Sequence, residues 1–189
     1  FLGNKVFLNE MMATPAGILH WVGCYLTQFF YYPILGASLL ILIWLTTYGL
    51  TLKAFRLTST WSHLALIPIT ALLCSTIDLG YWIYQIKIPG YWFSESIAML
   101  LVMLGTWLGR NLHGLWRYLW LGLWIIAGYP IMGWYALFGA LLTSIIYTIE
   151  QKNGGTSWER FALLIYTIVL IGIAPLLWYY HYSQIRLED

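Results

Sequence analysis

Seven residues carry most of the chemistry that this sequence offers: Asp78, Glu10, Glu95, Lys87, His20, Trp82 and Trp92. Asp78 follows Ser75 and Thr76 and precedes Tyr81, Trp82 and Gln85 at the end of a long apolar run. A carboxylate at such a place is costly unless it is paired or wetted, which makes it a functional candidate. It can take a proton from an acceptor hydroxyl, or hold a divalent cation beside a lipid phosphate. The plain alternative is a structural partner for Lys87, or for a tyrosine hydroxyl. Glu10 is the second catalytic candidate. Glu95, Lys87, His20, Trp82 and Trp92 are candidates for holding a substrate. Glu10 and Glu95 also read as ordinary charges, one solvated in a loop and one at a helix start, where an acid suits the dipole. Gly80-Tyr81-Trp82 and Gly90-Tyr91-Trp92 flank a short loop that holds Lys87 and Pro89. Stacking on sugar or lipid is one reading of those rings, and an interfacial aromatic belt is the other.

Other chemistries find little support. Cys24 and Cys74 are far apart in apolar settings, so neither a redox pair nor a metal site is expected. The histidines at 20, 63, 113 and 181 lack metal-ligand spacing, and no cofactor is indicated. His63 and His113 fall in basic loops, where contact with lipid headgroups is expected. Asn153-Gly154-Gly155 is a turn rather than a phosphate cradle, and no serine sits in a nucleophile-elbow pattern.

The elements that position these groups follow from composition. Of 189 residues, 61% are hydrophobic, 19% aromatic and 8% charged, with 9 basic and 7 acidic side chains. A soluble domain carries about 25% charged residues, so a water-soluble globule or a disordered tail is not expected. A net charge of +2 is too small for a nucleic-acid surface. The mean hydropathy of +0.74 points to lipid as the solvent.

Gaps between charges act as a ruler. Glu10 to Lys53 encloses 42 uncharged residues, Arg56 to Asp78 21, Glu95 to Arg110 14, Arg117 to Glu150 32 and Arg160 to Arg186 25. Roughly 20 helical residues cross the hydrocarbon layer. The expectation is an all-α, polytopic membrane helical bundle of about six transmembrane helices, at 34–52, 64–84, 93–109, 113–129, 131–149 and 161–180. A β-barrel would instead show short alternating segments. The fourth and fifth spans are divided because one helix over that gap would be about 48 Å long, and because Gly128-Tyr129-Pro130 offers a break near its middle. A re-entrant pair is the alternative. Placing the segment before residue 33 outside leaves Lys53, Arg56, Arg110, Arg117, Lys152 and Arg160 inside, against Lys5, Lys87 and Arg186 outside. That division fits the positive-inside bias and puts both chain ends on the periplasmic side of a bacterial inner membrane.

Residues 1–33 form an outer-face region, and 34–189 the transmembrane domain. Thr14 and Pro15 suit an N-cap and first helical position. Ile18, Val22, Tyr25, Leu26 and Phe29 then make a helical stripe. An amphipathic interfacial helix is therefore predicted over 15–32, its aromatic end (Phe29, Phe30, Tyr31, Tyr32) at headgroup depth, with a tilted span as the alternative. Pro33 closes it and opens the next helix. A chain beginning at Phe1 is expected to be processed or cut from a longer one.

The segment Thr14-Pro15-Ala16-Gly17-Ile18-Leu19, with Leu26-Thr27-Gln28-Phe29-Phe30-Tyr31-Tyr32-Pro33 and Leu35-Gly36-Ala37, resembles part of an uncharacterised family of bacterial multi-pass inner-membrane proteins. The resemblance implies a first membrane helix ahead of this segment and supplies no catalytic residues.

Helix contacts have their own marks. Gly105 and Gly109 form a small-xxx-small pair, and Ala136, Ala140 and Ser144 extend a second ridge. Packing within the chain is the default use, and a partner helix the other. Trp116, Trp120 and Trp124 lie on one helix face, to pack on a neighbour or on lipid.

Two functional classes follow. One is a membrane transferase acting at the outer face on a lipid-linked, glycan-type substrate, by architectural analogy with multi-pass glycosyltransferases. The other is a non-catalytic scaffold or assembly subunit. A carrier is disfavoured, because the mid-span breakers Pro68 and Pro175 are poorly matched and have no charge beside them.

Overall fold

The computed structural model describes residues 5–77, 90–150, 157–179 and 182. Among these residues there are eight α-helices and no strand: α1 (Lys5–Met12), α2 (Gly17–Thr27), α3 (Pro33–Phe55), α4 (Ile67–Ile77), α5 (Tyr91–Arg110), α6 (Leu115–Met132), α7 (Trp134–Glu150) and α8 (Ser157–Trp178). Short 3₁₀ segments, Gln28–Tyr31 and Ser59–Leu66, join α2 to α3 and lead into α4.

Three helical stretches are long and apolar enough to cross a membrane: Pro33–Phe55, Trp92–Arg110 and Phe161–Trp178. That is fewer than the six expected from charge spacing. Helix α7 is apolar but stops at 17 residues, and the described part of α4 has only 11. Helix α6 has 18 residues, but its tryptophans, tyrosines and Arg117 dilute its apolar character. In the most apolar stretches of α3 and α8, only 22% and 17% of residues are buried inside the chain, against 50% in α5. Helix α5 is thus the central element, while α3 and α8 turn apolar side chains such as Ile41, Leu45, Ile165 and Val169 outward.

Helix ends explain where the chain turns. Tyr32 is extended and Pro33 opens α3 at its first position, where the missing amide hydrogen costs nothing. Arg56 closes α3 in the left-handed region, and the Leu57 amide donates back to the Leu52 carbonyl at 3.0 Å. Thr14 does not cap α2. Its hydroxyl donates to the Met11 carbonyl at 3.2 Å, finishing α1, and α2 starts after Ala16, which is itself left-handed (φ 68°).

The break between α6 and α7 falls at Gly133, three residues beyond the Gly-Tyr-Pro sequence expected to make it. Proline at 130 removes the amide that would bond to the Ile126 carbonyl. The Trp178 indole of α8 donates to that carbonyl instead, at 3.1 Å. The Pro130 carbonyl in turn accepts the Ala16 amide at 3.2 Å. With its backbone groups satisfied from neighbours, the helix runs on through the proline. Gly133 stops it at φ 59° and ψ −133°, a conformation open in practice to glycine alone.

The main core lies between α6, α7 and α8, around Leu121, Ile125, Leu137, Ala140, Tyr147 and Leu163. Both small-residue ridges are used within the chain. A Cβ on Gly105 would lie 2.2 Å from the Trp124 ring, and one on Gly109 2.7 Å from the Trp120 indole nitrogen. Ala136, Ala140 and Ser144 are fully buried. The tryptophan stripe therefore divides, with Trp120 and Trp124 stacked over the α5 glycines and Trp116 facing outward.

Candidate functional site

Contacts sort the polar and aromatic residues into two ends of the bundle. At the first end, α2 lies against the start of α5 and the α6–α7 junction. Gly23 and Gly90 meet there so closely that a Cβ on Gly23 would stand 3.0 Å from the Gly90 Cα. The described end of α8 arrives at the same place, where Tyr182 meets Tyr129 edge to face at 6.4 Å. Both described termini of the chain therefore share this end. Burial pushes the Cys24 thiol above its usual value, and the Gly90 amide pulls it only part of the way back.

The 3₁₀ turn after α2 sorts its aromatic residues by direction. Phe30 turns inward, 5.2 Å from the Phe93 ring, over Gly36, where a Cβ would lie 2.4 Å from the Phe30 ring edge. Tyr25, Gln28, Phe29, Tyr31, Tyr32 and Leu35 line an open cup of about 640 Å³. Tyr31 is 82% exposed and Tyr32 64%, and their rings meet at 5.1 Å. This cup offers ring faces, phenol hydroxyls and one side-chain amide. The aromatic run itself was legible in the sequence, where it was expected to lie at headgroup depth. The cup was not, because it depends on the 3₁₀ turn that sends Phe30 the other way.

Four of the seven candidates are described, and Asp78, Lys87 and Trp82 lie outside the described residues. Glu10 is exposed on α1. His20 is half-buried on α2. Trp92 and Glu95, both half-buried on α5, come together around a space of about 10 Å³ shared with Trp44, Leu72 and Ser96. That is room for one water at most. Trp44 donates its indole hydrogen to the Ser96 hydroxyl at 3.0 Å, closing the space from the α3 side. Helix α5 begins at Tyr91, so Glu95 stands beyond the first turn rather than at a helix start.

At the second end, Arg110 ties three helices together. Its guanidinium donates from Nε to the Glu150 carboxylate at 2.6 Å and from Nη2 to the same oxygen. It also donates to the Ala54 carbonyl, one of the free acceptors at the end of α3. Arg117 donates to the Leu112 carbonyl at 2.7 Å and lies 4.6 Å from the centre of the Tyr147 ring. Tyr147 donates its hydroxyl to the Gly109 carbonyl. Lys53 stands 5.5 Å from the Trp107 ring centre. In the sequence these cations counted only as loop charges, and nothing there pairs Arg110 with a residue forty positions away. No group of three or more potential metal ligands gathers among the described residues.

Fold and charge placement together define an all-helical protein with three helices apolar enough to span a membrane. The chain matches a family of unknown function, DUF6057, over residues 1–188, and belongs to that family. The match is consistent with the expectation of an uncharacterised family and covers far more of the chain than the 25 or so residues on which that expectation rested. No curated protein and no solved structure matches the chain.

Proposed function

We propose that this chain is a multi-pass inner-membrane protein of six spans, whose outer end receives a lipid-linked, glycan-type substrate for a transferase reaction. The membrane reading is supported by the apolar faces that α3 and α8 turn outward, which in water would be a large uncovered patch. Basic residues Lys53, Arg56, Arg110 and Arg117 stand at one end, in line with an inner orientation for it. The α2 region and both chain ends then lie on the periplasmic side.

The observation that carries the substrate reading is the open aromatic cup at the head of α3. Its rings suit a sugar, Gln28 can hydrogen-bond a hydroxyl, and Leu35 opens onto the apolar flank of α3, along which a lipid tail can run. Asp78 and Glu10 remain the proposed acids, with Lys87, His20, Trp82, Trp92 and Glu95 in supporting roles. The scaffold reading draws on the closed space around Glu95, which admits no substrate. Against it, the two small-residue ridges that would seat a partner helix are already filled from within the chain.

The test is binding of a polyprenyl-phosphate-linked sugar to the protein in nanodiscs, followed by turnover in the intact host protein. Tyr31→Ala with Tyr32→Ala is expected to weaken binding at least tenfold, and Asp78→Ala to abolish turnover with binding retained. Unchanged binding in the tyrosine variant, or full turnover in both Asp78→Ala and Glu10→Ala, removes the reading.

A further inference from the structure

The rings of the aromatic cup at the head of α3 are arranged in a way that bears on the charge of its ligand. Tyr25, Phe29, Tyr31 and Tyr32 line it together with Gln28 and Leu35. The four rings fall into two pairs. Tyr25 meets Phe29 at 5.8 Å with ring planes at 90°, and Tyr31 meets Tyr32 at 5.1 Å with planes at 89°. An aromatic ring is negative on its face and positive at its edge. Two perpendicular pairs turn faces in several directions around one space, where an uncharged sugar needs only a single flat platform to stack on.

Among the described residues, none that lines the cup is charged. Lys53 and Arg56 lie at the other end of α3, about 30 Å away along the helix. Arg110 is held at that far end too, by the Ala54 carbonyl. An anion in the cup would meet ring faces with no cation to offset them, so the phosphate of a lipid-linked substrate is not seated between the rings. A cation meets the opposite situation. Each ring face at an exposed site raises its affinity roughly two- to fivefold, without a directed hydrogen bond. We propose that the sugar received by the cup carries a free amino group, protonated at neutral pH, which sits among the faces of the four rings. Gln28 then meets a neighbouring hydroxyl. The inference rests on the transferase reading above and names the class of its sugar: an amino sugar left unacylated on nitrogen, rather than a neutral or an acidic one.

The experiment measures binding to the full chain in nanodiscs of phosphatidylglycerol, a lipid without an ammonium headgroup. The probes are polyprenyl-phosphate-linked glucosamine, N-acetylglucosamine and glucose. Glucosamine is expected to bind about tenfold more tightly than the other two, the effect of two ring faces. Trimethylation of its nitrogen keeps the charge and removes every N–H, and is expected to leave the affinity within about twofold. Tyr31 and Tyr32 are exposed, so their replacement leaves the helices intact. Tyr31→Phe with Tyr32→Phe keeps both faces and is expected to keep the preference, whereas Tyr31→Leu with Tyr32→Leu is expected to erase it. Equal binding of the three sugars overturns the inference, as does loss of binding on trimethylation or a preference that survives in the leucine variant. A preference that vanishes when phosphatidylethanolamine is mixed into the nanodisc assigns the cup to a lipid headgroup and overturns it as well. Equal binding leaves the transferase reading standing, whereas no binding of any of the three sugars refutes that reading itself.

Discussion

Arg110→Met is the perturbation that most directly tests how the bundle is tied at its basic end. Methionine has similar reach and no charge, so the loss measured is electrostatic rather than a cavity. The arginine side chain is 11% exposed and Glu150 29%, so water reaches the acid and the pair is not a fully buried one. A buried pair that loses one member costs about 3–5 kcal/mol, while an exposed pair is worth about 1 or less. Glu150 lies between those limits and nearer the second, at about 1 kcal/mol. The Ala54 carbonyl adds a charge-assisted hydrogen bond worth about 1.5–3 kcal/mol. The residue is fully buried, so no water replaces the guanidinium. The sum is about 3 kcal/mol. Unfolding in mixed micelles by added SDS, followed by circular dichroism, reads it. Glu150→Gln alone is expected to cost about 1 kcal/mol, and the double variant to show a coupling near 1 kcal/mol. Arg110→Met costing under about 1 kcal/mol, or additive effects in the double variant, would refute the reasoning.

Two further outcomes follow from backbone and burial. Gly133→Ala forces a Cβ into a φ of 59° and 3.2 Å from the Ala16 Cβ. It is expected to destabilise by about 1–3 kcal/mol and to raise hydrogen exchange at the Ala16 amide, whereas Gly49→Ala, with open space around it, does neither. Cys24 has a thiol value raised above the ordinary 9.0, so its thiolate fraction at neutral pH is lower than that of a free cysteine. Labelling of Cys24 by a water-soluble maleimide, in a variant lacking Cys74, should be slow at pH 7 and still rising above pH 9. A rate that levels off below pH 9 contradicts the burial of that side chain.

Much of the fold was open to reading along the chain, and the reason is physical. Helices apolar enough to span a membrane need long runs without charge, and such runs are local, so helices near 34–52, 93–109 and 161–180 appear where the gaps lie. Pro33 marked its own helix start, because a fixed φ and a missing amide are properties of one residue. Other local signs misled where tertiary contacts outweighed them. Pro130 did not break its helix, since Trp178, forty-eight positions on, satisfies the carbonyl that the proline leaves free. Thr14 finished the helix before it rather than starting the one after.

The sequence by itself determined an all-helical chain with long runs free of charge, with its described cations gathered where the helices end. Only the tertiary structure decided which residues share a site. Whether Glu95 faces an open pocket or a closed one depends on Trp44, fifty-one residues away, and on its bond to Ser96. The aromatic cup exists because Gly36 leaves room for the Phe30 ring, so the neighbouring tyrosines turn outward. Helical pattern is set by contacts within a few residues, whereas a cavity is the space left by segments that meet only once the bundle has packed.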